Sequence, residues 1–140
     1  MVFIYSQMGL DGRNTLEVRG PQEILDEMES KGLLFDTEDE KLKHIGERFF
    51  GPQNVYVDNR DEHHLVVSFE FRNLPVYEYL EALLQKYPKC WMKNTWSADS
   101  GDCGLWVARM RLGKPDIQTC SWVELCDEEV MMGVDFSQNY

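Results

Sequence analysis

Two short segments of this 140-residue chain contain residue types that could do chemistry. The first, Asp61-Glu62-His63-His64, has the side chains that bind metal ions. If the segment enters a strand, neighbouring side chains point to opposite faces, so His63 and His64 cannot bind one ion together. A polar hairpin turn is therefore the favoured interpretation, and we predict no metal site.

The second segment, Ser-Gly-Asp-Cys-Gly, places Cys103 at a glycine-flanked turn where a backbone amide could stabilise an oxyanion. No base is adjacent in sequence, and the surrounding acids disfavour the thiolate. The four cysteines form no Cys-x-x-Cys pair, so neither zinc nor a disulfide framework is indicated. With no phosphate-binding glycine motif either, we predict no catalytic residue and no cofactor.

Charge narrows the classes of partner. Twenty-five acidic residues outweigh 14 basic ones, for a formal charge of −11. Such a chain repels phosphate backbones and anionic membranes, and the surplus serves either solubility alone or attraction to a basic surface on another macromolecule. No apolar run approaches the roughly 20 residues that cross a bilayer. We expect a cytoplasmic protein that binds neither nucleic acid directly nor a membrane.

The residues predicted to contact a basic partner are acids on two helices and one hairpin, together with one tryptophan of the last strand. They are Glu23, Asp26, Glu27, Glu29, Asp36, Glu38, Asp39, Glu40, Asp58, Asp61, Glu62 and Trp122.

Hydrophobic periodicity predicts the elements that position these residues. In order, they are a strand over 14–19, a helix from 21, a helix over 37–50, strands over 54–58 and 64–71, a helix over 74–87, and strands over 90–96, 104–112 and 118–124. The segment Thr37-Glu38-Asp39-Glu40 has the pattern of a capping box. This order is typical of an α+β fold, a ferredoxin-like sandwich in which an antiparallel sheet carries two to three helices on one face. We predict one domain over 1–125 and an acidic-hydrophobic tail over 126–140.

Apolar residues emerge on both sides of the predicted strand over 104–112. Trp106 and Ala108 share one face, while Leu105 and Val107 occupy the other. A two-sided apolar sheet favours a contact surface or a homodimer through the sheet. Alternatively, residues 1–9 or the C-terminal tail cover the second face.

Several of these segments resemble a known family. The alternating run 65–71, the proline-led helix with Leu74-Pro75 and Tyr87-Pro88, and Gly101 followed by Gly104-Leu105-Trp106 are similar to the YubB-type ferredoxin-like domain of phages, plasmids and genomic islands. The resemblance implies the fold and a mobile-element origin, and it carries no catalytic residues.

Taken together, these patterns predict a non-enzymatic acidic factor from a phage or mobile element. It would inhibit a host defence protein by occupying a basic site, including a nucleic-acid-binding one, as a DNA mimic in the host cytoplasm. The alternative is a small hydrolase-type enzyme that uses a carboxylate or Cys103.

Overall fold

Strands and helices follow one another along the chain in the order that the hydrophobic pattern predicts. The computed structural model describes residues 12–31, 39–48, 53–72 and 76–123. The elements are β1 (Gly12–Arg19), α1 (Gln22–Ser30), α2 (Glu40–Arg48), β2 (Gln53–Asp61), β3 (His64–Phe71), α3 (Tyr77–Lys86), β4 (Trp91–Ala98), β5 (Asp102–Arg111) and β6 (Lys114–Val123). The predicted tail over 126–140 lies outside the described residues.

All six strands form one sheet in the order β2-β3-β1-β4-β5-β6, and every neighbouring pair is antiparallel. The fold class is therefore α+β, as predicted. The complete order is not the ferredoxin pattern, because β5 and β6 extend the sheet beyond β4. Short turns at 99–101 and 112–113 connect these strands, so each one pairs directly with its predecessor.

The hydrophobic core lies between one face of the sheet and the three helices. Strand residues such as Leu16 and Val67 are fully buried and pair across β1 and β3. Leu25 of α1 and Leu42 of α2 belong to the same buried cluster. The hydrophobic periodicity that predicts the helix over 74–87 is confirmed, because the apolar residues spaced along it are all buried: Val76, Tyr79, Leu80, Leu83, Leu84 and Tyr87.

A pair of asparagines lies inside this apolar layer. Asn94 Nδ2 on β4 donates a 2.9 Å hydrogen bond to Asn14 Oδ1 on β1, and both residues are at most 1% exposed. The remaining amide atoms, Asn14 Nδ2 and Asn94 Oδ1, have no hydrogen-bond partner within the described ranges. Burying two amides whose hydrogen bonds are incomplete costs free energy of folding. The pair also favours one alignment of β1 against β4, because any shift in register would separate the two amides.

The predicted inner boundaries of the two edge strands were wrong. Strand β2 continues past Asp58 to Asp61, so the hairpin turn is only Glu62-His63. Strand β6 begins at Lys114 rather than at Gln118. Both are the edge strands of the described sheet, where one side of the strand makes no ladder bonds, and so polar residues and Pro115 are tolerated.

The start of α2 also differs from the capping-box prediction. The helix begins at Glu40, and the Leu42 backbone N–H donates a 3.0 Å hydrogen bond to Asp39 Oδ1. Asp39 is therefore the capping residue, in the geometry that capping carboxylates adopt. Thr37 lies outside the described residues.

No helix in the described ranges is both long enough and apolar enough to cross a membrane.

Candidate functional site

The sheet face opposite the helices is called the open face. It has a cluster of charged side chains on one half and an apolar groove on the other. Residues that are direct cross-strand partners lie side by side on this face. One such row crosses β1, β4, β5 and β6 and consists of Arg19, Trp91, Arg109 and Asp116. None of the three described helices contributes to the packing of this face, since their buried side chains belong to the core on the other side.

A carboxylate on β1 is the centre of the polar half of the open face. Glu17 Oε1 lies 2.8 Å from His64 Nε2 and 3.0 Å from an Arg19 guanidinium nitrogen. Its other oxygen, Oε2, lies 3.4 Å from Lys93 Nζ. His64 Nδ1 in turn lies 3.9 Å from an Asp61 carboxylate oxygen. Three strands that are far apart in the chain, β1, β3 and β4, therefore meet at Glu17.

These contacts set the ionisation of Glu17. Burial raises its pKa and is the largest single effect, but the hydrogen bonds from His64, Arg19 and Lys93 act in the opposite direction. Together they outweigh burial and hold the pKa of Glu17 below its usual range. The group is therefore a fixed anion near neutral pH, surrounded by donors.

The apolar half of the open face contains a groove across β4, β5 and β6, called the Trp91 groove here. It has a volume of about 390 Å³ and is open to solvent. Its lining includes Trp91, Leu105, Val107, Arg109 and Gln118. The two-sided apolar pattern predicted from the sequence for β5 is thus present, with Trp106 buried in the core and Leu105 in the groove.

Predicted acidic residues of α1 and of the β2–β3 turn lie at the β2 side of the molecule, and two of them contact one arginine. Arg60 of β2 projects toward α1, where one guanidinium nitrogen lies 2.7 Å from Asp26 and Nε lies 2.9 Å from Glu29. The Glu29 contact lacks hydrogen-bond alignment, so charge alone maintains it. The Glu62-His63 turn is tied to the start of α1, since the Gly20 N–H donates to the His63 carbonyl at 3.1 Å.

We call this region the acidic edge; it comprises Glu23, Asp26, Glu29, Asp61 and Glu62.

The other predicted contact residues are dispersed. Glu27 forms an i,i+4 ion pair with Lys31 on α1. Asp39 lies near α3, where Lys86 Nζ is 2.9 Å from its carboxylate, and Glu40 is exposed in the first turn of α2. These contacts are structural: the Leu42 N–H and Lys86 hold the pKa of Asp39 below its ordinary value.

Two further predicted residues lie on or beside the open face. Asp58 accepts a hydrogen bond from Ser68. Trp122, on the edge strand β6, is 45% exposed and pairs with Cys103 of β5. Asp36 and Glu38 lie outside the described residues.

The cysteines of the described ranges are free thiols. Cys103 is 6% exposed, and its Sγ lies 3.5 Å from the Gly101 carbonyl oxygen, to which it donates. Burial raises the pKa of Cys90 to about 11, so that residue stays protonated. Among the residues that the structure describes, no three His, Cys, Asp or Glu side chains are grouped as metal ligands.

Comparison of the chain with protein-family models, with characterised proteins and with solved structures gave no match.

Sequence reasoning missed three residues of this site. Glu17 belongs to a strand whose alternation was recognised only for apolar positions, Arg60 fell in the predicted hairpin turn, and Arg109 was not singled out at all. The signal available was modest: Glu17 and Arg19 alternate with Leu16 and Val18, which places both charges on the face opposite the core. Their partners could not be inferred without the strand order.

Proposed function

We propose that this protein is a non-enzymatic binding factor that occupies a basic site on another protein through its acidic edge. The observation that carries the proposal is the meeting of α1 with the β2–β3 turn, which places Asp26 and Glu29 on Arg60 and brings the acids of the turn, Asp61 and Glu62, to the same side of the molecule. Helix α1 itself contains no basic residue.

The carboxylates of the acidic edge remain available to a partner. Asp26 and Asp61 side chains are 60% and 68% exposed, whereas Arg60 is only 20% exposed. Arg60 therefore keeps Asp26 and Glu29, and a partner's guanidinium or ammonium group would bind the exposed carboxylate oxygens beside it. Exposed ion pairs contribute about 0–1 kcal/mol each, so several such contacts act together. The net charge of −11 adds long-range attraction to a basic surface, over a Debye length of about 8–10 Å at physiological salt.

We further propose where the protein originates and which kind of site it binds. We assign a ferredoxin-like arrangement to β1–β4 with α1 and α3, to which β5 and β6 are added. The resemblance to the YubB-type family supports a phage or mobile-element protein acting in the host cytoplasm. A basic site that normally holds nucleic acid on a host defence protein fits an acidic edge that imitates phosphates. The acidic edge leaves the rest of the sheet free, so a homodimer through the sheet is compatible with this function.

The test is capture of partners from host lysate at low and high salt, with the protein as bait. Bound proteins should be released by high salt and by added duplex DNA, because both compete for a basic site. The variant Asp26→Asn/Glu62→Gln should weaken capture by roughly 3- to 30-fold. A matched control, Glu47→Gln/Asp99→Asn, removes the same charge at exposed positions outside the predicted contact residues and should leave capture unchanged.

If both variants weaken capture equally, net charge and not the acidic edge is responsible, and the proposal is wrong. Capture that survives high salt and duplex DNA would contradict it as well.

A small hydrolase is the second candidate, and the contact between Glu17 and His64 is the observation that favours it. A carboxylate 2.8 Å from an imidazole is an arrangement used for general acid–base catalysis. Hydrolysis of nitrophenyl esters by the native chain, lost in His64→Gln, would favour the enzyme over the binding factor.

A further inference from the structure

The Trp91 groove combines an aromatic wall, an apolar floor and an exposed cation. Trp91 forms the wall, and Leu105 and Val107 form the floor. Arg109 lies opposite Trp91 in the β4–β5 pairing and is exposed, with no ion-pair partner found in the described ranges. The neighbouring acid, Asp116, lies 3.6 Å from the Arg111 guanidinium.

From this arrangement we propose that the Trp91 groove binds an acidic peptide segment of a protein partner, with an aromatic side chain of that segment against Trp91 and a carboxylate on Arg109. This site is separate from the acidic edge, which is on the β2 side of the sheet. The protein would therefore have two recognition surfaces of opposite charge preference.

Local charge argues for an acidic occupant. Arg109, Arg19 and Lys93 lie around the groove, and Arg19 lies 5.6 Å from the centre of the Trp91 ring. The nearby anion, Glu17, already accepts hydrogen bonds from Arg19, Lys93 and His64. Asp116, which lines the groove beside Arg109, pairs with Arg111. An arriving carboxylate thus meets a guanidinium that has no ion-pair partner among the described residues, whereas an arriving cation finds carboxylates that already have partners.

The shape of the groove argues for a peptide. Small-molecule sites bury about 70–90% of their ligand, which a groove open along β4–β6 cannot do. A peptide segment gains its affinity from contacts spread along such a groove, anchored by one aromatic side chain. A nucleic acid strand would extend beyond Arg109, Arg19 and Lys93, and the net charge of −11 on the chain would repel its remaining phosphates.

Fluorescence anisotropy with labelled short peptides tests the proposal on the full chain. The first peptide has a phenylalanine among glutamates, the second replaces that phenylalanine with alanine, and the third keeps it among lysines. We expect the first peptide to bind at least about tenfold more tightly than either of the others, because both the ring and the carboxylates are required.

Variants of the groove locate the binding. Arg109→Gln should weaken binding of the first peptide by about tenfold or more, and Arg109→Lys should retain part of the affinity because it keeps the charge. Trp91→Leu should weaken it by about five- to tenfold, and Trp91→Phe less, because the ring is kept. The matched control Lys43→Gln removes a cation from α2 and should change nothing.

Three results would overturn the proposal. They are equal binding of the lysine peptide, an Arg109→Gln variant that binds as the native chain does, and preferential binding of a single-stranded oligonucleotide in the same assay. Circular dichroism of each variant excludes loss of folding as the cause. Since every groove variant leaves the acidic edge intact, capture of a basic partner should be unaffected, and the two proposals can fail independently.

Discussion

The contact between Trp96 and Gly104 gives the sharpest test of the packing described here. The two residues are directly paired across β4 and β5, and the Trp96 ring lies over the glycine. The ring is 5% exposed, and its Nε1 donates a 3.1 Å hydrogen bond to the Tyr77 hydroxyl. A methyl group added at Gly104 would lie 2.5 Å or less from three atoms of the ring.

The cost of Gly104→Ala follows from this geometry. The ring must move, and overpacking of this kind costs about 1–3 kcal/mol. Loss of the hydrogen bond to Tyr77 adds about 1 kcal/mol. We therefore expect the free energy of unfolding to fall by about 2–4 kcal/mol, a large part of the 5–15 kcal/mol typical of a domain. The consequence extends to the site, since the same strand register places Trp91 opposite Arg109.

Urea denaturation of a double-mutant cycle measures the effect. In a Trp96→Leu background the space above Gly104 is free, so the alanine should cost less than about 0.5 kcal/mol and the coupling energy should be about 1.5–4 kcal/mol. Ser121→Ala, the exposed neighbour of Gly104 on β6, is the control and should change stability by no more than about 0.5 kcal/mol. An alanine that costs the same in both backgrounds would show that the ring does not occupy the space above the glycine, and the reasoning would fail.

Two further predictions concern the β5–β6 turn and Glu17. Leu112 is fully exposed with φ of 52°, and Gly113 follows with φ of 77°, so both residues have the left-handed backbone conformation. Asparagine tolerates this conformation better than leucine or alanine does. Leu112→Asn should therefore raise the free energy of unfolding by about 1 kcal/mol in urea denaturation, while Leu112→Ala should bring no gain. The pKa of Glu17 is lower in the folded protein than in the unfolded chain, where it is near 4.5. Ionised Glu17 therefore stabilises the fold fully above the unfolded pKa, and this stabilisation is lost as pH falls through the lower folded pKa. Glu17→Gln should accordingly cost about 1–2 kcal/mol near pH 7, and that difference should shrink toward pH 3. A cost that is independent of pH would contradict the account of Glu17 as a fixed anion.

Helices and strands whose hydrophobic residues recur at regular spacing were predictable from the sequence. The stripe from Val76 to Tyr87 and the alternation of Leu65, Val67 and Phe69 both predicted the buried faces that the structure has. Boundaries in polar edge strands were not predictable, because Asn59 to Asp61 resemble a turn in composition. An edge strand needs pairing on one side only, so composition places a weak constraint on it.

The candidate site was only partly predictable. Acidic residues of α1 and of the β2–β3 hairpin were recognised separately, but Arg60 between them was not, because a cation 34 residues from Asp26 gives no local signal. Arg109 was missed for the same reason: its neighbour Trp91 belongs to another strand.

What the sequence determined by itself is the α+β class, the succession of elements, the core residues and the surplus of negative charge. These follow from local periodicity and composition, which act along the chain. The strand order, the acidic edge, the contacts of Glu17 and the Trp91 groove were decided only by the tertiary structure. Each of them joins residues far apart in sequence, and such residues meet only when the packing of the helices and the register of the strands bring them within a few ångströms.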